Sequence, residues 1–134
     1  DVYKRQGTYE AVDSKLPDNI ISIHRTHNQR ELAEIYSAAD LFVNPTREDN
    51  YPTVNMEAIA CGTPVLTFKT GGSPEIVDDS TGIVVDCDDV DAIEEQIRKC
   101  EASMLFEKSN CVEKAKEFDQ KLRFMEYVEL YKEL

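Results

Sequence analysis

The sequence predicts an α/β domain in which a parallel sheet carries helices on its faces. Short apolar runs alternate with stretches of helical periodicity, and strands that alternate with helices build parallel sheets through right-handed crossovers. The connections between these segments are short. Two turns, at 44–53 and 70–74, each follow an apolar run directly. Both therefore fall on the carboxyl edge of the sheet, where open α/β sheets bind ligands.

Each element has its own justification. Residues 7–19 are polar and without pattern, whereas 19–24 carry Ile20, Ile21 and Ile23 and read as a strand. Asn28 is placed to cap a helix over 29–39, in which Leu32, Ile35, Tyr36 and Ala39 recur at helical spacing before Asp40 ends it. Leu41, Phe42 and Val43 form a short buried strand that Asn44-Pro45-Thr46 breaks. A helix over 53–61, closed by Gly62, leads into a strand at 64–68, a helical turn at 74–78 and a strand at 82–85. Asp88 is expected to cap a helix over 89–102, with Val90, Ile93 and Ile97 along one side. Two more helices follow at 105–117 and 120–133. The stripe Leu122, Met125, Val128 and Tyr131 on the last is expected to face the core.

Composition excludes several functions. Fifteen basic residues against 27 acidic ones give a net charge of −12, the wrong sign for a nucleic-acid binder or for the main contact with anionic lipid. The acids between Asp86 and Glu95 lack the spacing of a calcium loop and suit a helix N-terminus. Cys61, Cys87, Cys100 and Cys111 contain no CxxC pair, so zinc is not expected. No apolar stretch approaches the roughly 20 residues that span a bilayer. No G-x-G-x-x-G opens a helix, which speaks against a dinucleotide-dependent oxidoreductase.

The chemistry concentrates in residues 47–77. Asp49 and Glu57 have seven residues between them, so one acid sits in the loop before a helix and the other in its early turns. Free N–H groups at a helix start take phosphate, and a carboxylate accepts two hydroxyl donors side by side. The arrangement suits a ligand that carries both.

This run resembles the donor-binding motif of retaining family 4 glycosyltransferases of the GT-B fold. The resemblance rests on Asp49…Glu57, on Ala60-Cys61-Gly62-Thr63-Pro64-Val65 and on Gly71-Gly72-Ser73-Pro74-Glu75, with similarity upstream through residues 31–43 and downstream to the final helix. It implies a Rossmann-like parallel sheet with flanking helices, the partial C-terminal domain of such an enzyme. Glu57 would grip ribose hydroxyls. Asp49, or its neighbour Glu48, would act near the transferred sugar. The N–H groups of Thr53 and Val54 would hold the diphosphate, with Asn50 and Tyr51 in the same turn. Gly71 and Gly72 would let backbone approach the donor, and Arg25 and Thr26 would hold the base through backbone groups. Lys69 and Arg47 flank the phosphate edge as candidate electrostatic helpers.

The resemblance further implies a nucleoside-diphosphate sugar as donor substrate, no cofactor and no metal. The acceptor would be a glycan or a lipid-linked chain held by a missing N-terminal domain, and the setting cell-surface polysaccharide synthesis. The expected location is cytoplasmic, or peripheral at the inner membrane face through that missing domain. Two departures stand out: Glu48 and Asp49 are adjacent, and Pro52 stands where the family usually has glycine. At 134 residues the chain is short for two such domains, so a catalytically inactive fragment is expected. Residues 1–6 resemble a translated transposase adapter and are set aside. Residues 7–118 are expected to form the partial domain, and 119–134 its C-terminal helix. A sugar-nucleotide 2-epimerase of the same fold and a non-catalytic nucleotide-sugar-binding piece are the alternatives.

Overall fold

The computed structural model describes residues 3–6, 15–103 and 105–133 and divides into two compact units, 1–32 and 33–134. In the first unit, strand β1 (Tyr3–Gln6) pairs in parallel with β2 (Ile20–Ile23), in a register running from Tyr3↔Ile20 to Gln6↔Ile23. Part of the hexapeptide set aside on sequence grounds is thus a strand. The polar stretch at 7–14 lies outside the described residues. The unit boundary falls within helix α1 (Gln29–Ala38). That helix begins as expected: Asn28 Oδ1 accepts the Glu31 N–H at 2.9 Å, and the Glu31 carboxylate accepts the His27 N–H at 2.7 Å. Two N-terminal donors are thereby satisfied reciprocally.

The second unit is built on a three-stranded parallel sheet in the order β3 (Phe42–Asn44), β4 (Val65–Phe68), β5 (Gly82–Val85). Helix α2 (Thr53–Ala60) crosses from β3 to β4, and the short α3 (Ser73–Ile76) crosses from β4 to β5. All four residues of β4 are buried, as befits a central parallel strand covered on both faces. Leu66, Phe68 and Val85 form a core against which Leu41, Val43, Ile83, Ile93 and Ile97 pack. The last two come from helix α4 (Val90–Ala102). Thr63 Oγ donates to the Tyr36 carbonyl at 2.6 Å, and Thr67 Oγ to the Asn44 carbonyl at 2.9 Å. Buried hydroxyls of this kind are tolerable only when bonded.

Three expectations are corrected. Asp89, not Asp88, caps α4, accepting the Ala92 N–H at 2.8 Å. Asp88 instead adopts φ 66° and pairs with Arg47; aspartate is one of the few residues that visits this region readily. The helix expected at 105–117 is α5 (Lys108–Ala115), followed by a 3₁₀ turn at Lys116–Phe118. Helix α6 (Gln120–Glu133) has its expected bounds, but Leu122, Met125, Val128 and Tyr131 are all exposed, as are Phe124, Tyr127 and Leu130. Its apolar residues lie on more than one face. Helical spacing records that a residue is apolar; whether it is covered depends on a neighbouring element.

Asp78 anchors the turn from α3 into β5. Its Oδ1 accepts the Ser80 hydroxyl at 2.7 Å, the Ser80 N–H at 3.0 Å and the Thr81 hydroxyl at 3.1 Å, while Lys114 Nζ of α5 lies 3.5 Å from Oδ2. The Ser80 hydroxyl is the largest cause that holds this carboxyl below the ordinary carboxylate range, against an opposing effect of burial. A depressed folded-state pKa contributes stability above the unfolded value and loses it as pH falls through the folded one. Asp78→Asn should lower the melting temperature near neutral pH by about 2–4 °C, the scale of a partly exposed interaction. The gap should close below about pH 4; thermal denaturation of both proteins across this range measures it.

Candidate functional site

The loops after β3 and β4 interlock at the carboxyl edge of the sheet. Gly72 N–H donates to the Asn50 carbonyl at 2.9 Å, and Thr70 Oγ donates to the Thr46 carbonyl at 2.7 Å. Gly71 has φ +49°, and a Cβ built there would lie 1.8 Å from the Asp49 carbonyl oxygen. The close approach that the two glycines permit in this structure is therefore to the acid loop itself.

Below that contact, Asn44 Nδ2 at the end of β3 donates to Asn55 Oδ1 in the first turn of α2 at 2.8 Å. Asn55 is fully buried, and its own Nδ2 has no hydrogen-bond partner among the described residues. Pro52, also fully buried, is the N-cap of α2, with φ −69° and ψ 103°. The first N–H groups of a helix have no intrahelical acceptor. At this terminus they belong to Thr53 and Val54, whose side chains are exposed; proline contributes none.

The two candidate acids differ. Asp49 is half-buried, and its Oδ1 accepts the Tyr51 N–H at 3.1 Å, which fixes the turn. Glu48 is exposed, and its carbonyl takes the Thr46 hydroxyl at 3.3 Å. Arg47 is engaged with Asp88 at 2.6 Å. This exposed ion pair joins the loops after β3 and β5. Lys69 is exposed beside the glycine turn. Arg25 and Thr26 follow β2 in the first unit.

Glu57, the fifth residue of α2, is exposed and opens onto a groove of about 480 Å³. Thr53 and Glu57 line one side, and Val112 of α5, Lys116 and Phe118 of its 3₁₀ extension and Asp119 just after it line the other. Tyr36 of α1 places its hydroxyl 3.4 Å from Glu57 Oε2. Its ring is 5% exposed and meets Phe42 edge-on, with centroids 5.2 Å apart and planes at 89°. Burial, and then the Glu57 carboxylate, push the Tyr36 phenol up to about 12, so it keeps its proton across the ordinary pH range. The sequence reading missed Tyr36 as a site residue, because its helical spacing marks it as core, and missed the groove's far wall, more than 50 residues away along the chain.

Gly71→Ala forces a left-handed backbone and a Cβ–carbonyl collision together. It should cost about 1–3 kcal/mol, read as a lower urea midpoint. An unchanged midpoint would mean that the two loops separate without loss.

The family model for glycosyl transferases group 1 matches residues 3–118. The chain is 40% identical over 70 residues to a D-inositol 3-phosphate glycosyltransferase of Arthrobacter sp. (strain FB24), a match covering 52% of this chain and 17% of that protein. It is 45% identical over 73 residues to an alpha-maltose-1-phosphate synthase of Mycobacterium tuberculosis, covering 54% and 19%. Each match therefore takes in less than a fifth of the relative's length. Among solved structures, the sucrose-phosphate synthase of Thermosynechococcus elongatus superposes with a TM-score of 0.78 at 26% identity, over 92% of this chain and 32% of that one. Sheet and crossovers agree with these likenesses, and the chain belongs to the glycosyl transferases of group 1.

Proposed function

We propose that this chain is the donor half-site of an enzyme that moves a sugar from a nucleoside-diphosphate sugar to an acceptor, with retention at the anomeric carbon. The observation that carries this reading is the placement of Glu57 in the groove one helical turn from the unbonded N-terminus of α2. The N–H groups of Thr53 and Val54 take the diphosphate, and the helix dipole offsets charge that builds on the leaving phosphate. That role needs no metal ion. Glu57 accepts the ribose hydroxyls. Of the two candidate acids we assign Asp49 to the transferred sugar, because its loop is locked by the Tyr51 N–H and by the glycine turn, whereas Glu48 points to solvent. Asn50 and Tyr51 shape the same turn.

The acceptor would be a glycan or a lipid-linked chain bound by a second domain, in the synthesis of cell-surface polysaccharide. Such an enzyme works in the cytoplasm or at the inner membrane face. Among the described residues no helix is long and apolar enough to cross a membrane. The donor half-site alone should bind and not turn over.

Calorimetric titration of UDP and GDP into this chain should show binding by the parent, weakened at least tenfold in Glu57→Ala, the scale of one lost charge-assisted contact. A folded parent that takes up neither nucleotide would sink the reading.

A further inference from the structure

We propose that Tyr36 is a positioning residue for Glu57: its buried hydroxyl orients the carboxylate so that one oxygen is presented to the ligand's vicinal hydroxyls. The inference rests on the donor-site reading of Glu57 given above and adds a residue to it.

The geometry carries it in three steps. First, Glu57 is exposed on a surface helix, and a glutamate there samples several rotamers unless something holds it. A carboxylate that must meet two hydroxyls at once gains from being fixed beforehand, because the ordering cost is then met in the free protein. Second, Tyr36 Oη lies 3.4 Å from Oε2. A phenol that donates to Oε2 leaves Oε1 and the outer lone pairs for the ligand.

Third, the phenol is itself held. The ring is buried and packs edge-on against Phe42, and the Tyr36 carbonyl accepts the Thr63 hydroxyl at 2.6 Å. Thr63 follows α2 closely, so the helix that bears Glu57 and the residue that steers it are joined at both ends of the contact. Tyr36 is not among the residues that wall the groove. Its influence on a ligand must pass through Glu57.

The alternative is that Tyr36 only fills the core beside Phe42. Tyr36→Phe separates the two, since it keeps the ring and removes only the hydroxyl. Circular dichroism and the thermal midpoint establish that the variant is folded. Calorimetry then compares UDP, 2′,3′-dideoxy-UDP and pyrophosphate on the parent, Tyr36→Phe, Glu57→Ala and the double variant. The expected result is a loss of about five- to twentyfold in UDP affinity in Tyr36→Phe, the scale of one hydrogen bond to a charged group. Dideoxy-UDP and pyrophosphate should be unaffected, and Tyr36→Phe should have no further effect in the Glu57→Ala background.

A packing role would not distinguish the diol from its deoxy analogue. UDP binding that is lost in Glu57→Ala but intact in Tyr36→Phe overturns the inference and leaves the donor-site reading standing. A parent that binds none of the probes overturns both.

Discussion

The register of β3 against β4 governs the rest of the site. Asn44 pairs with Thr67, so the two chains leave the sheet at the same height and on neighbouring strands. The loops that follow must therefore meet. One begins at Pro45 and carries the acids, and the other begins at Lys69 and carries the glycines. Side chains at that final pair reinforce it: Thr67 bonds the Asn44 carbonyl, and Asn44 reaches forward to Asn55 in α2. A slip of one residue would turn each of these side chains to the opposite face and separate sheet, helix and loops in a single step. Gly71 and Gly72 are what the meeting of the loops requires, since no Cβ fits between their backbone and that of Asp49 and Asn50.

For the proposed diphosphate to bind, an acidic protein needs local fields that overcome its global one. The net charge of −12 repels a diphosphate at long range, and Arg47, the cation nearest the acid loop in sequence, is already paired with Asp88. Beside Lys69 at the glycine turn and Lys116 in the groove wall, the first-turn N–H groups and the dipole behind them act at short range, within one helical turn. In salt the repulsion is screened over roughly 8–10 Å, while direct N–H contacts are much less affected. This favours recognition by geometry at α2 over electrostatic steering.

Much of this was legible beforehand because it depends on local chemistry. Asn28 announces the start of α1 as its cap, and Gly62 closes α2 just before the strand that begins at Pro64. The apolar run at 64–68 reads as a strand, and the structure has one at Val65–Phe68. The losses share one cause. Asp88 and Asp89 are both competent caps, and only the backbone path after β5 decides between them. The Leu122–Tyr131 stripe is apolar without being covered, because coverage belongs to a neighbour and not to the helix. Tyr36 reads as core, and it is core; its hydroxyl matters only because Glu57, 21 positions away, stops beside it.

Pro52 shows how the site trades one property for another. Glycine at the head of α2 would add an N–H to the phosphate edge but leave the entry of the helix free to move. Proline gives up that donor and fixes φ near −65°, and here it is fully buried at φ −69°. Asn55, three residues on, has a buried Nδ2 with no partner among the described residues, a cost of about 1–3 kcal/mol. The fold bears that cost at the point where the Asn44–Asn55 bond ties α2 to the sheet. The helix that carries Thr53, Val54 and Glu57 is thus held by a proline at its head, a strand-end amide in its first turn and Tyr36 beside its fifth residue. Three constraints on so short a helix make sense if the spacing between its free N–H groups and its carboxylate is itself what a ligand must match.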